Sequence, residues 1–544
     1  MNKRLLTVAL IGAAATTAAA CNDKFLTEVP SDFVSPANFY ANAGDAITAV
    51  NAAYATFIDL RSPLSNSDYL GRNTFMLINY PTEVVTSRLS AANERSLIGN
   101  YNTQFNSAHA YLETTWEAAY AGINRANSVI DRVPGVPMDA TRKGQIIGEA
   151  KFLRAMHYYI LAGLFGGVPL KLSETTTIGG ANIPRSSATA TWAQVEKDLS
   201  DAAAVLPTSW PSTDFGRATK GAALALLGKA YLQAAATGAG GGNDYQKADS
   251  VFRIVETLGY KLDPNYGSLF DGTNEKSAEI IWSMQNIRAP GAGGYLAQWM
   301  APNTTPAIFP PGAQNQFQAE RPFYDSYNPA DSLRKKGTWL TSFVNAGKTV
   351  TWAWNPTSGI EKGTNYGSTG PVPRKFLDLG APDAGAEGID YPFLRYAEVL
   401  LNHAEAIDMT AGPTSEAYGL VNQVRTRAGI PNLTPGLDAA SFKDSVFLER
   451  RYELAVEFTG VFDNRRDWPW AKSRVEKYAG GPAVKLWNAK PFTSSVEKFT
   501  DTATVVVIPD KWKLYPIPLH ACELNPLLVQ NPGWNDGICK DTTP

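Results

Sequence analysis

The spacing of small and apolar residues between positions 217 and 260 constrains the fold more than any other feature of the chain. Two motifs there have the spacing of the two helices of a tetratricopeptide repeat. They are Leu224-x2-Leu227-Gly228-x2-Tyr231 and Ala248-x3-Phe252. Small residues at 228 and 248 would let two antiparallel helices approach closely, and the glycine-rich segment 238–242 would form the turn between them. The pattern therefore predicts an antiparallel helical hairpin.

Helical spacing of apolar residues recurs on both sides of this hairpin. It occurs at 116–123, 146–164, 192–206 and 441–458, and a degenerate copy of the repeat lies at 396–421. Ser441 and Asp444 have the spacing of a helix-capping pair. We therefore predict a mostly α fold, in which helical hairpins over approximately 40–280 and 390–470 form a scaffold.

Charged residues on the predicted helices allow two interpretations. Carboxylates close together would suit acid–base chemistry, whereas carboxylates and arginines three or four residues apart suit salt bridges. The spacing favours salt bridges for all of the following: Glu149, Arg154, Arg395, Glu398, Glu405, Glu449, Arg450, Arg451, Glu453 and the run Asp463 to Asp467. The four histidines, His109, His157, His403 and His520, show no metal-ligand spacing. We find no catalytic constellation and predict no enzyme, no metal and no cofactor.

The balance of charge excludes one class of partner. There are 49 Lys and Arg against 51 Asp and Glu, which gives a formal net charge of -2. Because nucleic-acid binding needs a basic face, we expect no nucleic-acid partner.

The first twenty residues have the pattern of an export signal. Lys3 and Arg4 precede an uncharged stretch, 5–20, which is shorter than the roughly 20 residues of a membrane helix. Cys21 directly follows three alanines and resembles the acylated cysteine of bacterial lipoproteins. We predict a lipoprotein signal peptide at 1–20 and lipidation of Cys21; a plain secretory signal is the alternative.

Cys522 and Cys539 are the other two cysteines. In an oxidising compartment they could pair and close a loop of about seventeen residues. Two free thiols are the alternative.

Residues 281–392 lose helical periodicity over most of their length and are rich in Gly, Pro, Asn and aromatic residues. A segment of this length without regular structure is usually a binding surface or a disordered insert, and its tryptophans and tyrosines favour an ordered surface. A shorter irregular segment spans 66–111. The tail, 472–544, mixes proline turns with short apolar runs and is predicted to be loop-rich.

Four stretches, taken together, resemble the SusD/RagB family of surface lipoproteins in nutrient-uptake systems. They are Cys21 to Leu26 with Asn38-Phe39-Tyr40; Gly148 to Ala155 with Leu164 to Leu170; Leu394 to Leu401 with Glu449 to Ala455; and Leu514 to Pro518 with Gln530 to Trp534. The resemblance implies about four tetratricopeptide-like hairpins, with a less regular part that carries the ligand site. It also implies an outer-membrane, cell-surface position, a SusC-like TonB-dependent transporter as partner, and a binding rather than catalytic role.

The aromatic residues of 281–392 suit a sugar ligand, because C–H faces of sugars stack on rings while hydroxyl groups need amides or guanidinium groups. Trp352 and Trp354 would face the same side of an extended strand. Tyr101 and Asn102 lie at positions from which the family's ligand site also takes residues. The candidate ligand-binding residues are Tyr101, Asn102, Asn286, Arg288, Tyr295, Trp299, Trp352 and Trp354. The alternative for each tryptophan is a place in the core.

We therefore predict a single unit, 21–544, that captures oligosaccharide at the cell surface and delivers it to the transporter. Two alternatives remain at this point. The same architecture could bind peptides, or the helical scaffold could bind only a protein partner.

Overall fold

The computed structural model describes twelve stretches of the chain. They are 39–57, 69–87, 94–99, 101–177, 182–289, 293–302, 312–345, 347–351, 371–383, 385–479, 507–535 and 537–540. Within them, no helix is both long enough and apolar enough to cross a membrane.

The described residues form seventeen α-helices and eight short strands. The helices are α1 Ala43–Tyr54, α2 Thr74–Asn79, α3 Glu94–Gly99, α4 Ala110–Arg132, α5 Ala140–Phe165, α6 Ala188–Val205, α7 Lys220–Ala236, α8 Asp244–Glu256, α9 Leu296–Met300, α10 Arg321–Asp325, α11 Ser332–Thr338, α12 Tyr396–Ala411, α13 Ser415–Ala428, α14 Ala439–Glu453, α15 Gly460–Arg466, α16 Trp468–Ala479 and α17 Leu519–Leu524. The strands are β1 Val85–Ser87, β2 Ile280–Met284, β3 Phe317–Ala319, β4 Trp339–Leu340, β5 Ser342–Asn345, β6 Lys348–Thr351, β7 Val372–Pro373 and β8 Tyr391–Arg395.

The long helices stack side by side, each against the next, in the order α1, α4, α5, α6, α7, α8, α12 and α13. Neighbouring helices run antiparallel: Gly148 near the start of α5 faces Leu206 just beyond the end of α6, and Gly221 at the start of α7 faces Tyr260 beyond the end of α8. The predicted mostly α, tetratricopeptide-like fold is confirmed, and the predicted hairpin at 217–260 is the pair α7 and α8.

Polar side chains fix where the scaffold helices begin, by accepting a hydrogen bond from a backbone N–H of the first turn. These N-cap residues are Asp139, Ser187, Thr219, Thr414 and Asp438. The last of them corrects the sequence prediction, because Asp438 rather than Ser441 caps α14, and its Oδ1 accepts from the N–H of Ser441 at 2.7 Å. The helix also ends at Glu453 rather than reaching Phe458, and Val456 has a positive φ of 60°.

Buried ion pairs tie the scaffold helices together, and those of Arg395 and Arg450 join different elements of the fold rather than residues three or four apart on one helix. Arg395 contacts Glu279 at 2.8 Å, Glu457 at 2.8 Å and Glu453 at 2.5 Å. Arg450 pairs with Asp463 at 2.8 Å. Burial opposes ionisation of Glu453, but the guanidinium groups of Arg427, Arg395 and Arg334 outweigh it and hold the pKa of Glu453 well below its usual range.

The segment predicted to be irregular, 281–392, leaves and rejoins the scaffold at one place. Strand β2 at its start pairs antiparallel with β8 at its end. Between them the described residues form only short helices and two-residue to four-residue strands. Strand β3 of this segment pairs with β1, so the shorter irregular segment, 66–111, lies against it.

The tail packs back onto the scaffold through aromatic residues. The ring of Trp512 stacks on Phe105 at 4.8 Å and meets the edge of Trp534 at 5.3 Å. Cys522 and Cys539 form a disulfide, with Cα atoms 5.1 Å apart. Trp512, Trp534 and both cysteines of the tail thus belong to the same buried core as the scaffold.

Candidate ligand-binding site

Asn286 and Arg288 lie where the chain leaves β2, and both are held by the segment that precedes β8. The side-chain amide of Asn286 donates to the carbonyl of Ile389 at 2.6 Å, and its backbone N–H donates to Asp390 at 2.8 Å. Arg288 donates to both carboxylate oxygens of Asp378, at 2.7 and 2.8 Å, while about half of its side chain (49%) stays exposed. Arg288 is thus the more accessible of the two.

Tyr295 and Trp299 lie on or beside α9, and a buried carboxylate holds this short helix in place. Glu387 accepts hydrogen bonds from the backbone N–H groups of Ala297 and Gln298, at 2.9 and 2.8 Å, and from the hydroxyl of Tyr391 at 2.8 Å. Burial raises the pKa of Glu387 to about 7, although these three hydrogen bonds act to lower it. Glu387 therefore positions the helix that carries Trp299.

Two arginines from the shorter irregular segment stack on Trp299. The guanidinium carbon of Arg72 lies 4.0 Å from the indole centroid, and that of Arg95 lies 5.1 Å from it. Arg95 also donates to the hydroxyl of Tyr111 at 3.0 Å and to the side chain of Gln316 at 3.1 Å. Since Trp299 is only 9% exposed, the arginines rather than the indole face present the polar groups here.

Tyr101 and Asn102 contact other parts of the chain. The hydroxyl of Tyr101 donates to the carbonyl of Pro81, and its ring meets the edge of Trp512 at 4.8 Å. Burial raises the pKa of Tyr101 well above its usual value. Asn102 accepts a hydrogen bond from the backbone N–H of Gln104 at 2.8 Å. The structure thus buries Tyr101 against the tail rather than placing it beside α9.

Other predicted residues are in the core or outside the described stretches. Trp339, one of the aromatic residues of 281–392, is 1% exposed, and Tyr327 is 4% exposed. For Trp339, and for Trp299 at 9% exposure, the core alternative is correct. Of the predicted residues, Cys21, Trp352 and Trp354 lie outside the described stretches.

The sequence did not indicate a role for Arg72, Arg95 or Glu387. One signal was present for Arg72, because it is the only charged residue in the run from Tyr69 to Tyr80, most of which is buried. Nothing local indicated that it would meet Trp299, which lies more than two hundred residues further along the chain.

Two other features of the surface lie away from these residues. Glu113, Glu117 and His520 bring one ligand atom each to within 4.8 Å of one another, a donor set that could hold a metal ion, although no histidine spacing indicated it. A groove of about 860 Å³ lies on the scaffold between Tyr260, Tyr396 and Asn422. None of the candidate ligand-binding residues lines this groove.

Comparison with known proteins identifies the class. A profile of the SusD family matches residues 278–534, and a profile described as starch-binding associating with outer membrane matches residues 65–232. The chain belongs to the SusD family. Because that family consists of binding proteins, the prediction that the chain is not an enzyme is confirmed.

Individual relatives cover nearly the whole chain. The SusD-like protein P25 of Formosa agariphila is 26% identical over 95% of this chain and 96% of its own length. The structure of a SusD homolog from Bacteroides thetaiotaomicron is 24% identical, covers 91% of this chain and 98% of its own, and has a TM-score of 0.75. Surface glycan-binding protein A from the same organism, solved with laminarihexaose, is 20% identical, covers 90% and 100%, and has a TM-score of 0.69. The two structures share this fold.

Proposed function

We propose that this protein captures oligosaccharide outside the cell and delivers it to a TonB-dependent transporter of the outer membrane. The observation that carries the proposal is the match to the SusD family on both halves of the chain. A structure with the same fold contains a bound glucan oligosaccharide. The family description also names starch binding and association with the outer membrane.

The proposed ligand surface consists of residues 285–289, 293–302, 371–383 and 385–390 together with Arg72 and Arg95. We call it the insertion surface. It supplies exposed or half-buried guanidinium, amide and phenol groups on a frame held by β2, β8 and Glu387. Such groups provide the directional hydrogen bonds that fix a ligand in a mostly preformed site. Trp352 and Trp354, which lie outside the described stretches, remain proposed as a stacking platform for the ligand.

Attachment to the membrane is proposed to occur through lipid on Cys21, after removal of residues 1–20. One acyl chain binds a membrane only marginally, whereas two or more anchor a protein firmly. The contact with the transporter is expected to exceed a standard interface of ~1,600 Å² in total. Replacing Cys21 by Ser should release the protein from the membrane fraction, as measured by incorporation of labelled fatty acid and by fractionation.

Ligand binding is tested by calorimetry of the full mature chain against a panel of neutral and acidic oligosaccharides, with a peptide panel beside it. The proposal expects binding to at least one glycan, with loss of that binding in Trp352→Ala and Trp354→Ala. Trp210→Ala, which alters a half-buried tryptophan on the scaffold, is the matched control and should bind normally. Binding to peptides alone, or to no member of either panel, would refute capture of oligosaccharide.

A further inference from the structure

Arg72 is a half-buried cation that stacks on an aromatic ring but has no anionic partner within the described stretches. Its guanidinium group lies over Trp299 at 4.0 Å. Within the described stretches it forms no ion pair, and its Nε, which is buried, has no hydrogen-bond acceptor. A cation–π contact holds the guanidinium group against the tryptophan ring but uses none of its five N–H donors.

Most of the arginines that stack on rings elsewhere in the described stretches also have a carboxylate partner, and Arg465, over Tyr515, is the exception. Arg142 lies over Trp210 at 4.9 Å and pairs with Glu149 at 2.7 Å. Arg132 lies over Tyr40 at 5.7 Å and pairs with Glu174 at 2.6 Å. The scaffold therefore neutralises Arg142 and Arg132 with its own acids, and Arg72 differs from these two. Arg465 is instead buried, and its Nη1 donates to the carbonyl of Gly163.

A second donor beside Arg72 also has no partner. Trp299 is nine-tenths buried, and its indole Nε1 has no hydrogen-bond acceptor within the described stretches. Leaving a buried donor without an acceptor normally costs stability. The Nε of Arg72 and the Nε1 of Trp299 are both donors without an acceptor among the described residues. A ligand that satisfies them must therefore supply an acceptor, and beside a guanidinium group a negatively charged acceptor is favoured.

The parts of this cluster are held rigidly. Trp299 lies on α9, whose first backbone N–H groups bind Glu387. On the shorter irregular segment, Arg72 precedes α2, and β1 of the same segment pairs with β3. A preformed arrangement of this kind binds its ligand without first paying the entropy of ordering its side chains.

We propose that Arg72, held against Trp299, binds a carboxylate or sulfate group of the captured oligosaccharide, so that the ligand is an acidic glycan. This inference rests on the proposed function and narrows its ligand class. The planar guanidinium fork matches a carboxylate or sulfate through two parallel hydrogen bonds, which an ammonium group cannot provide. Arg95, on the same indole, adds positive charge beside it.

The test compares matched polysaccharides by affinity electrophoresis and calorimetry, using the full mature chain. The probes are alginate and polygalacturonate with their carboxyl-reduced forms, carrageenan with its desulfated form, and neutral laminarin. We expect binding to at least one acidic probe and at least tenfold weaker binding to its neutralised form. The carboxyl-reduced and desulfated arms distinguish which of the two anionic groups is bound.

Three variants separate the role of the charge from that of the stack. Arg72→Met should lower affinity for the acidic probe by about 10- to 100-fold. Arg72→Lys, which keeps the charge but loses the fork, should recover only part of this loss. Arg142→Met, which removes an arginine from a tryptophan on the scaffold, should leave affinity unchanged. Melting temperatures of all three identify any variant that fails to fold.

Each result of these binding experiments either supports or contradicts the inference of an acidic glycan. Binding to laminarin or to neutralised probes alone would overturn this inference and leave the proposed function intact. Equal affinity of Arg72→Met and the parent for an acidic probe would overturn it as well. A protein that binds acidic peptides but none of the polysaccharides would refute both this inference and the proposed function.

Discussion

Gly228 of α7 lies directly beneath the ring of Phe252 of α8. A Cβ atom at position 228 would lie 2.4 Å from two atoms of that ring, closer than real side chains approach. The glycine is therefore required by the approach of the two helices and not by its backbone conformation, since it lies inside a helix.

Gly228→Ala should destabilise the protein although alanine is the better helix former. Helix propensity favours alanine by about 1 kcal/mol, but overpacking a core contact costs roughly 1–3 kcal/mol or more. We expect a net decrease in the free energy of unfolding, measured by urea denaturation monitored by circular dichroism. A variant as stable as the parent would show that Phe252 moves aside freely.

Gly419 provides the matched control for this prediction. It is exposed and lies inside α13, and no atom lies within 4 Å of a Cβ built there. Gly419→Ala should therefore raise the free energy of unfolding by up to about 1 kcal/mol, which is the opposite sign.

Arg395 joins the irregular segment to the scaffold, because it ends β8 and contacts carboxylates before β2 and in and after α14. Arg395→Met should leave Glu279, Glu453 and Glu457 short of positive charge in the interior. Removing one partner of a buried ion pair costs about 3–5 kcal/mol, and the same denaturation experiment measures it. Lys197→Met is the control; Lys197 pairs with Asp201 at the surface, so its loss should leave the free energy of unfolding nearly unchanged.

Sequence reasoning predicted the scaffold because its signals are local. The apolar residues from Leu224 to Phe252 and the charged residues around Glu449 follow helical periodicity. The structure places the first set in a helical hairpin and Glu449 in an ion pair. The residue at which a helix begins was harder to predict. Asp438 and Ser441 are both acceptable N-cap residues, and only the packing of α14 decides between them.

Less of the candidate site than of the scaffold could be predicted from the sequence, for a physical reason. Trp299 receives Arg72 because β1 pairs with β3, and Tyr101 is buried because the tail returns to it through Trp512. Pairings between residues so far apart follow from how the irregular segments fold, and hydrophobic periodicity carries no information about them.

Reduction of the disulfide should destabilise the protein through its tail. The bridge joins Cys522 to Cys539 across 17 positions, and closing such a loop stabilises the folded state by about 3 kcal/mol in the chain-entropy account. Denaturation with and without a phosphine reductant measures the difference. The double variant Cys522→Ala, Cys539→Ala should be insensitive to the reductant; equal sensitivity of both proteins would show that the effect lies elsewhere.

Two buried histidines should titrate in opposite directions. Burial lowers the pKa of His403, but hydrogen bonds and charges of Glu256 and Asp249 outweigh it and raise the pKa above the usual 6.5. Burial, with a smaller contribution from the charge of Arg125, lowers the pKa of His157 to about 3. The stability that His403 contributes is therefore fully present below pH 6.5 and is lost as the pH rises through its raised pKa. His157 instead contributes less stability as the pH falls below 6.5, because the unfolded chain then binds the proton that the folded chain rejects.

Nuclear magnetic resonance of the histidine rings tests this contrast directly, since the chain has 4 histidines and single substitutions assign them. The ring signals of His403 should change with a midpoint above pH 6.5, and those of His157 should stay constant from pH 8 down to pH 5. His520 provides an exposed reference, whose pKa is raised by its hydrogen bond to Glu523 and, more weakly, by nearby carboxylates. Asp249→Asn together with Glu256→Gln should remove the groups that hold the proton on His403 and lower its midpoint, while leaving His157 unchanged. A His157 signal that titrates near pH 6.5 would mean that solvent reaches the ring, contrary to its packing against Phe57 at 4.2 Å.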